Sequence, residues 1–458
     1  MKRRKYAAAI CGRIVLLLLF CAPVVLSAQK KNTANTLPVH PVWSEQSNIY
    51  EVNLRQYTAS SSIKDFEKSL PRLHKMGVQI LWFMPINPIG LKGRKMTEHD
   101  LGSYYSVKNY REVNPEFGTM KDWKGLVTLA HRLGFKVIID WVPNHTSPDN
   151  PWITEHPNFY KRDKEGNTVY DADYSDTRNL NYANPELRDS MIAIMKYWIV
   201  STHIDGFRCD HVDPMPLDFW KACIDSLKKV KDVFMLAESE NPAFHGVGFD
   251  ETYAWSVMEG FTRYCQGKIS LPLVDSIINS DISRFPKDAY RMYFTTNHDW
   301  NSWEGTEFEK YGEAYKPLAV FTQTFYQSVP MIYSGQEVPD EKRLKFFTKD
   351  PIVWNQYKMA PFYSTLLHLR KKDPALAADA SYRKLQTSND LAVFAFERQK
   401  AGHKVVVILN LSAQPQDFTI EDPSLHGTPF NVFARNRISI RANHVFSMKP
   451  WAYRVYEY

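Results

Sequence analysis

The sequence predicts an α/β chain: a (β/α)8 barrel followed by an all-β sandwich. Short apolar runs alternate with helix-patterned segments from Trp43 to Pro374, which implies a parallel sheet buried on both faces. Eight runs can be counted, which suits a closed barrel better than an open sheet. After Pro374 the helical pattern stops and β-formers dominate, as expected of a sandwich.

The elements follow in order. Strands are expected at Ile49–Leu54, Val78–Pro85, Phe135–Val142, Ile204–Cys209, Val233–Ala237, Tyr253–Met258, Arg291–Thr296 and Pro330–Tyr333. Helical periodicity marks Ile63–Met76, stopped by Gly77, and Asp122–Leu133, stopped by Gly134. Further helices are expected at Pro185–Val200, Phe219–Lys229 and Ala314–Gln327. Between His145 and Pro185 the helix is delayed by a segment rich in Asp, Asn, Pro and Tyr, including Asp171-Ala-Asp-Tyr-Ser-Asp176. In the C-terminal part, Leu391–Glu397, Val405–Leu411, Phe430–Phe433, Ile438–Ile440 and Ala452–Tyr456 read as strands.

The 458 residues are 44% hydrophobic, enough for a large core and two to three domains. The formal charge of +7 owes five to Lys2, Arg3, Arg4, Lys5 and Arg13, leaving +2 for the rest, so charge implies no nucleic-acid partner. Residues 1–28 read as a signal peptide. They have a basic start, an apolar run over Ile14–Leu26 that is too short for a membrane anchor, and small residues at Ser27-Ala28. Residues 29–40 form a linker, 41–375 the barrel and 376–458 the sandwich. A periplasmic or secreted monomer without a membrane anchor is expected. Cys209, Cys223 and Cys265 remain after the leader. Their odd count and wide spacing point to buried free thiols rather than a disulfide scaffold or zinc site.

Four stretches concentrate polar chemistry at predicted strand ends: Asp140-Trp-Val-Pro-Asn-His145, Gly206-Phe-Arg-Cys-Asp210, Met235-Leu-Ala-Glu238 and Thr296-Asn-His-Asp299. Barrel enzymes keep their reactive groups there. Together with Gly77–Pro85, Tyr105–Tyr110 and Pro330–Glu337, these stretches resemble the α-amylase family, glycoside hydrolase family 13, from about Trp43 to Pro374. The resemblance implies that the segment 146–184 is a short inserted domain after the third strand.

The resemblance also implies roles. Asp210 looks like the nucleophile, Glu238 like the acid/base and Asp299 like the third carboxylate, which grips sugar hydroxyls. Retaining cleavage of a glycosidic bond needs a nucleophile and an acid/base carboxyl close together. Arg208 shares a strand face with Asp210 and can hold it ionised. His145 and His298 look like hydroxyl donors, and Tyr105 like the ring that stacks under the sugar. Glu240 competes with Glu238, but the family pattern favours the residue at the strand end. Asp140, Gly335 and Glu337 look like structural support. Trp141, Trp152, Trp255, Trp300 and Trp303 are either core or sugar platforms.

Two positions depart from the family pattern. Asp213 and Pro214 stand where many relatives have Lys-His, and Asn109 stands where Tyr-x-x-x-Asp-Tyr usually has Asp. No cofactor is expected to be required, and a structural calcium, with Asn144 as a ligand, remains open. The expected function is a retaining α-glucan hydrolase acting on α-1,4 bonds of starch-derived glucans and maltooligosaccharides. A glucanotransferase or isomerising relative and a non-catalytic glucan-binding protein are the alternatives.

Overall fold

Eight parallel strands, buried along nearly their whole length, form the central sheet: β1 (Ile49–Val52), β2 (Ile80–Phe83), β3 (Lys136–Trp141), β4 (Gly206–Cys209), β5 (Phe234–Ala237), β6 (Glu251–Tyr253), β7 (Tyr290–Met292) and β8 (Met331–Tyr333). The computed structural model describes residues 40–94 and 99–458. The expected leader, and the linker apart from His40, lie outside them. The strands pair in chain order from β1 to β7, and β8 pairs with β1. Closure between β7 and β8 is sparse, resting on an Arg291–Ser328 bridge and the Met331 amide donating to the Tyr293 carbonyl. The sheet is the expected (β/α)8 barrel.

Alternation along each strand separates two apolar faces. Tyr50, Val52, Leu81, Phe83, Val137, Ile139, Phe207 and Met235 meet the surrounding helices in one cluster. Ile49, Ile80, Trp82, Ile138, Phe234 and Leu236 belong to a second cluster, the barrel interior. Gly206 must lack a side chain, because a Cβ would come 1.9 Å from the Phe234 carbonyl oxygen. Towards the C-terminal strand ends the interior turns polar, with Glu51, Asp140, Arg208 and Tyr253 all buried.

Several elements differ from expectation. The strand expected at Tyr253–Met258 is Glu251–Tyr253, and Trp255–Cys265 is a helix. The buried Glu251 and Thr252 hide that strand from an apolar reading, while Val257, Met258 and Phe261 follow the helical period. The helix expected over Ile63–Met76 divides into Ile63–Glu67 and Leu70–Met76. Pro71 has no N–H to continue the first helix. The strand expected at Arg291–Thr296 is only Tyr290–Met292, at the sparsely bonded seam. Helix Leu271–Arg284 lacks a clean apolar stripe, burying only Leu271, Val274, Ile278 and Asp281, and was not anticipated.

The C-terminal part is all-β. β9 (Ser381–Leu385), β10 (Val393–Lys400), β11 (His403–Asn410), β13 (Phe430–Asn431), β14 (Asn436–Arg437) and β16 (Tyr453–Glu457) make a six-stranded antiparallel sheet. β12 (Gln416–Thr419) and β15 (Val445–Met448) form a second, two-stranded sheet. Phe418, Phe446 and Met448 pack with Val406, Ile408 and Tyr456 between them. Ile438–Ile440 is not a strand, although Ile440 bridges Gly427.

Barrel and C-terminal sheet fall in one compact unit and share one core. Phe321, in the helix Tyr315–Thr324, meets Phe394 and Phe396 of β10 at 6.0 and 6.3 Å between ring centres. The buried Arg398 donates to the carbonyls of Thr324, Phe325, Ala377 and Ala380. Arg370 likewise donates to the Ser47 and Ser328 carbonyls.

Candidate active site

The polar interior layer opens into a cavity of about 530 Å³ at the C-terminal end of the barrel. Its walls include Tyr105, Asn144, His145, Asp210, Glu238 and Asp299. The strands bring these together from four motifs and one loop that are distant in sequence. Arg208 and His298 do not line the cavity. They lie beneath it, 0% and 1% exposed.

Arg208 is the centre of the site. Parallel register sets it beside Asp140 on β3, and strand alternation puts Asp210 on the same face. Its Nη1 donates to Asp140 Oδ1 at 3.0 Å and to Asp210 Oδ1 at 2.8 Å. Its Nη2 lies 2.7 Å from Glu238 Oε1, and its Nε donates to the Tyr253 hydroxyl at 3.1 Å. Trp82 faces the guanidinium at 5.2 Å. One cation thus meets three carboxylates out of water, where such contacts are short and strong.

The environment drives the carboxyls apart. Burial raises Glu238, Arg208 opposes, and the charges of Asp210 and Asp299 add to the rise. Burial raises Asp210 as well, with Arg208 opposing and Asp140 adding. Asp210 and Glu238 hydrogen-bond to each other, and the His211 amide donates to Glu238 Oε2 at 2.7 Å. At Asp299 burial is outweighed by His298 and Arg208, so its carboxyl falls below the ordinary range. That side chain is 40% exposed, so solvent screens the effect. The set comprises two neighbouring carboxyls whose hold on a proton is strengthened by burial, and a third held ionised. It can donate a proton and attack an electrophilic carbon from one cavity.

The other anticipated residues divide clearly. Burial pushes His145 down to about 4, so its ring is neutral, and Nε2 meets the Tyr105 carbonyl at 3.1 Å. Glu240 is turned away, held by the Ser256 amide and hydroxyl and by Arg291. Glu337 accepts from Tyr50 and Arg72 at the barrel wall. Of the five tryptophans, Trp303 lines the cavity; it is 56% exposed. Trp141 and Trp300 are core. Cys209 and Cys223 are buried free thiols, and Cys265 is half-buried.

Sequence reasoning missed Glu51, His211, Phe346 and Phe347. Glu51 carried a signal, being a charge inside the apolar run of β1. Phe346 and Phe347 line the cavity from the loop after β8, where no periodicity marks them.

Asn144, the residue offered for calcium, presents its amide nitrogen to Asp171 at 3.3 Å, and Asn179 does so at 2.8 Å. Asn179 Oδ1 is buried without a partner, one leftover oxygen. Among the described residues no group of three or more His, Cys, Asp or Glu could hold a metal ion.

Comparison with known proteins agrees with this geometry. Residues 63–170 match the family described as Alpha amylase, catalytic domain, and residues 382–455 match Maltogenic Amylase, C-terminal domain. The α-amylase MalA of Haloarcula japonica is 25% identical over 82% of this chain and 57% of its own length, so the chain spans little more than half of that relative. A crystallised α-amylase of Lactobacillus plantarum superposes with a TM-score of 0.80 at 28% identity, over 91% of this chain and 99% of that one. The noncanonic maltogenic α-amylase AmyB of Thermotoga neapolitana gives 0.79 at 27%, over 90% and 96%.

The raised carboxyl of Asp210 has a consequence for stability. In the folded chain it holds its proton to higher pH than in the unfolded chain. The folded state therefore binds more protons above about pH 4, and stability falls as pH rises through the folded pKa. Asp210→Asn removes that loss. Its unfolding free energy at neutral pH should equal or exceed that of the wild type by about 1–2 kcal/mol, and the difference should vanish below about pH 4. Urea unfolding at several pH values measures this, and a variant less stable at neutral pH contradicts it.

Proposed function

The chain belongs to the α-amylase family of glycoside hydrolases, and from that premise we propose that it is a retaining α-glucan hydrolase acting on α-1,4 bonds of starch-derived glucans and maltooligosaccharides. The observation that carries this reading is the direct contact of Asp210 with Glu238 beside Arg208. Inverting enzymes keep their carboxyls about 6.5–9.5 Å apart to admit a water, and hydrogen-bonded carboxyls leave no such gap. In this reading Glu238, protonated by burial and by its negative neighbours, gives its proton to the leaving oxygen. Asp210 attacks the anomeric carbon and forms the glycosyl-enzyme, and Glu238 then takes a proton from the incoming water. Asp299 holds sugar hydroxyls as positive charge develops on the ring, and Tyr105 stacks under it.

The leader-like residues 1–28 support a place outside the cytoplasm. No helix among the described residues is long and apolar enough to cross a membrane.

A time course of products from maltoheptaose and pullulan tests the proposal. Release of shorter reducing maltooligosaccharides that keep the α configuration supports it. Accumulation of longer or cyclic products identifies a transferase instead, and no turnover identifies a binding protein.

The acid can be separated from its neighbour. Glu238→Gln should lose about 10²–10⁴-fold on glucans yet still form the glycosyl-enzyme from an aryl or fluoro glycoside, whose leaving group needs little protonation. The intermediate should then accumulate for want of a base. Glu240→Gln should behave as wild type, and the same trapped intermediate in that variant would reassign the acid.

Calcium is proposed to be dispensable for turnover, given amide nitrogens around Asp171 and Pro214 in the place of the usual histidine. Any ion bound would act on stability by mass action. Dialysis against a chelator should leave the rate unchanged. Loss of rate restored by calcium alone, with a large fall in Tm, would reverse the proposal.

A further inference from the structure

Glu51 takes no part in the chemistry above, yet it is a carboxyl buried at the active end of β1, 0% exposed. Its Oε1 lies 2.5 Å from His298 Nδ1, and its Oε2 has no hydrogen-bond partner. The other ring nitrogen, His298 Nε2, lies 2.7 Å from the Tyr105 hydroxyl and 3.2 Å from Asp299 Oδ2. The Tyr105 hydroxyl also lies 3.3 Å from Asp140 Oδ2, as its donor.

Counting protons over these contacts separates two states. In the first, the pair holds a single proton, between Glu51 and Nδ1, and Nε2 is bare. A lone pair then faces the Asp299 carboxylate, and the one hydroxyl proton of Tyr105 must serve both Nε2 and Asp140. In the second, the pair holds one proton more, on Nε2. Nε2–H then donates to Asp299 and to the Tyr105 oxygen, and Tyr105 donates to Asp140. Only in the second state does every contact have one donor and one acceptor.

We propose that Glu51 is a positioning residue: it pairs with His298 so that Nε2 stays protonated and holds Asp299 ionised and in place. The inference rests on the hydrolase reading, in which Asp299 must be charged to grip the substrate. The groups around the pair are Asp299, Asp140 and Arg208, with the hydroxyls of Tyr105, Tyr253 and Tyr333. At His298 burial opposes the extra proton while Asp299 and Glu51 favour it, and at Glu51 burial favours a proton while His298 and Arg208 oppose it. The direction at His298 is strongly upward.

The first test does not depend on activity. In the full chain labelled with ¹⁵N-histidine, the His298 signals are assigned by their loss in His298→Gln. Nε2 should carry the protonated shift at about pH 8, where ordinary histidines are neutral. A bare, pyridine-like Nε2 at that pH overturns the proposal, whether or not any Glu51 variant folds. The second test is kinetic. Glu51→Gln should lower kcat about 10- to 100-fold with a smaller change in KM. In that variant the Nε2 signal should lose its proton at a lower pH than in the wild type, because the neutral amide no longer retains the extra proton. Glu51→Asp should restore that midpoint. A loss of rate with the Nε2 midpoint unmoved overturns the proposal in favour of a packing role. Failure of the hydrolase reading would show in the product time course, which leaves the ¹⁵N result standing.

Discussion

The site depends on one guanidinium. Arg208 is buried with Asp140, Asp210 and Glu238 around it, and among the described residues no other cation pairs with those three carboxylates. An arginine suits this place because its planar fork serves several acceptors at once and cannot lose its proton. The interaction does not fully compensate the acids. Burial still raises all three, which shows that desolvation outweighs the attraction. Stability is therefore sacrificed at the point where a proton must be held ready. The barrel around it supplies the compensation through strands whose side chains are buried on both faces.

The layering of the barrel makes this arrangement possible. Below, Ile49, Ile80, Ile138 and Phe234 fill the interior as an ordinary core. Two residues further along the same strands, the inward positions are Glu51, Trp82, Asp140 and Leu236, with Arg208 beside Asp140. One step of strand alternation thus converts a dry core into a charged floor. The cavity walls come from loops, where Trp303, Phe346 and Phe347 add aromatic surface.

Much of this was legible in the sequence, for a physical reason. Strands buried on both faces leave continuous apolar runs, and a carboxylate that ends such a run is conspicuous, as with Asp210 and Glu238. The reading failed where the barrel breaks that rule. β6 begins with the buried polar residues Glu251 and Thr252, so the expected strand slid into the following helix. His298 and Asp299 follow β7 after a stretch with little ladder pairing, so the strand end expected there lies several residues earlier. Glu51 was visible as a charge in an apolar run. Its meaning depends on His298, some 247 positions away, and no local pattern reports such a contact. Phe346 and Phe347 sit in a loop, where side-chain position follows from the tertiary structure alone.

The joint between the barrel and the C-terminal sheet lies at a particular place. The barrel is least bonded between β7 and β8, and Arg398 of β10 fastens the carbonyls of Thr324 and Phe325, just before β8. Phe321, Phe394 and Phe396 seal the same region with apolar contact. The appended sheet thus works as a clamp on the gap in the ring, and Asp299 stands on the loop leaving that gap. The clamp thus bears on the loop that carries Asp299, whereas Arg208 sits across the well-laddered half of the barrel. Loss of turnover and loss of the folded state need not coincide in such a molecule. The ring can slacken at its join while the rest of the hoop holds.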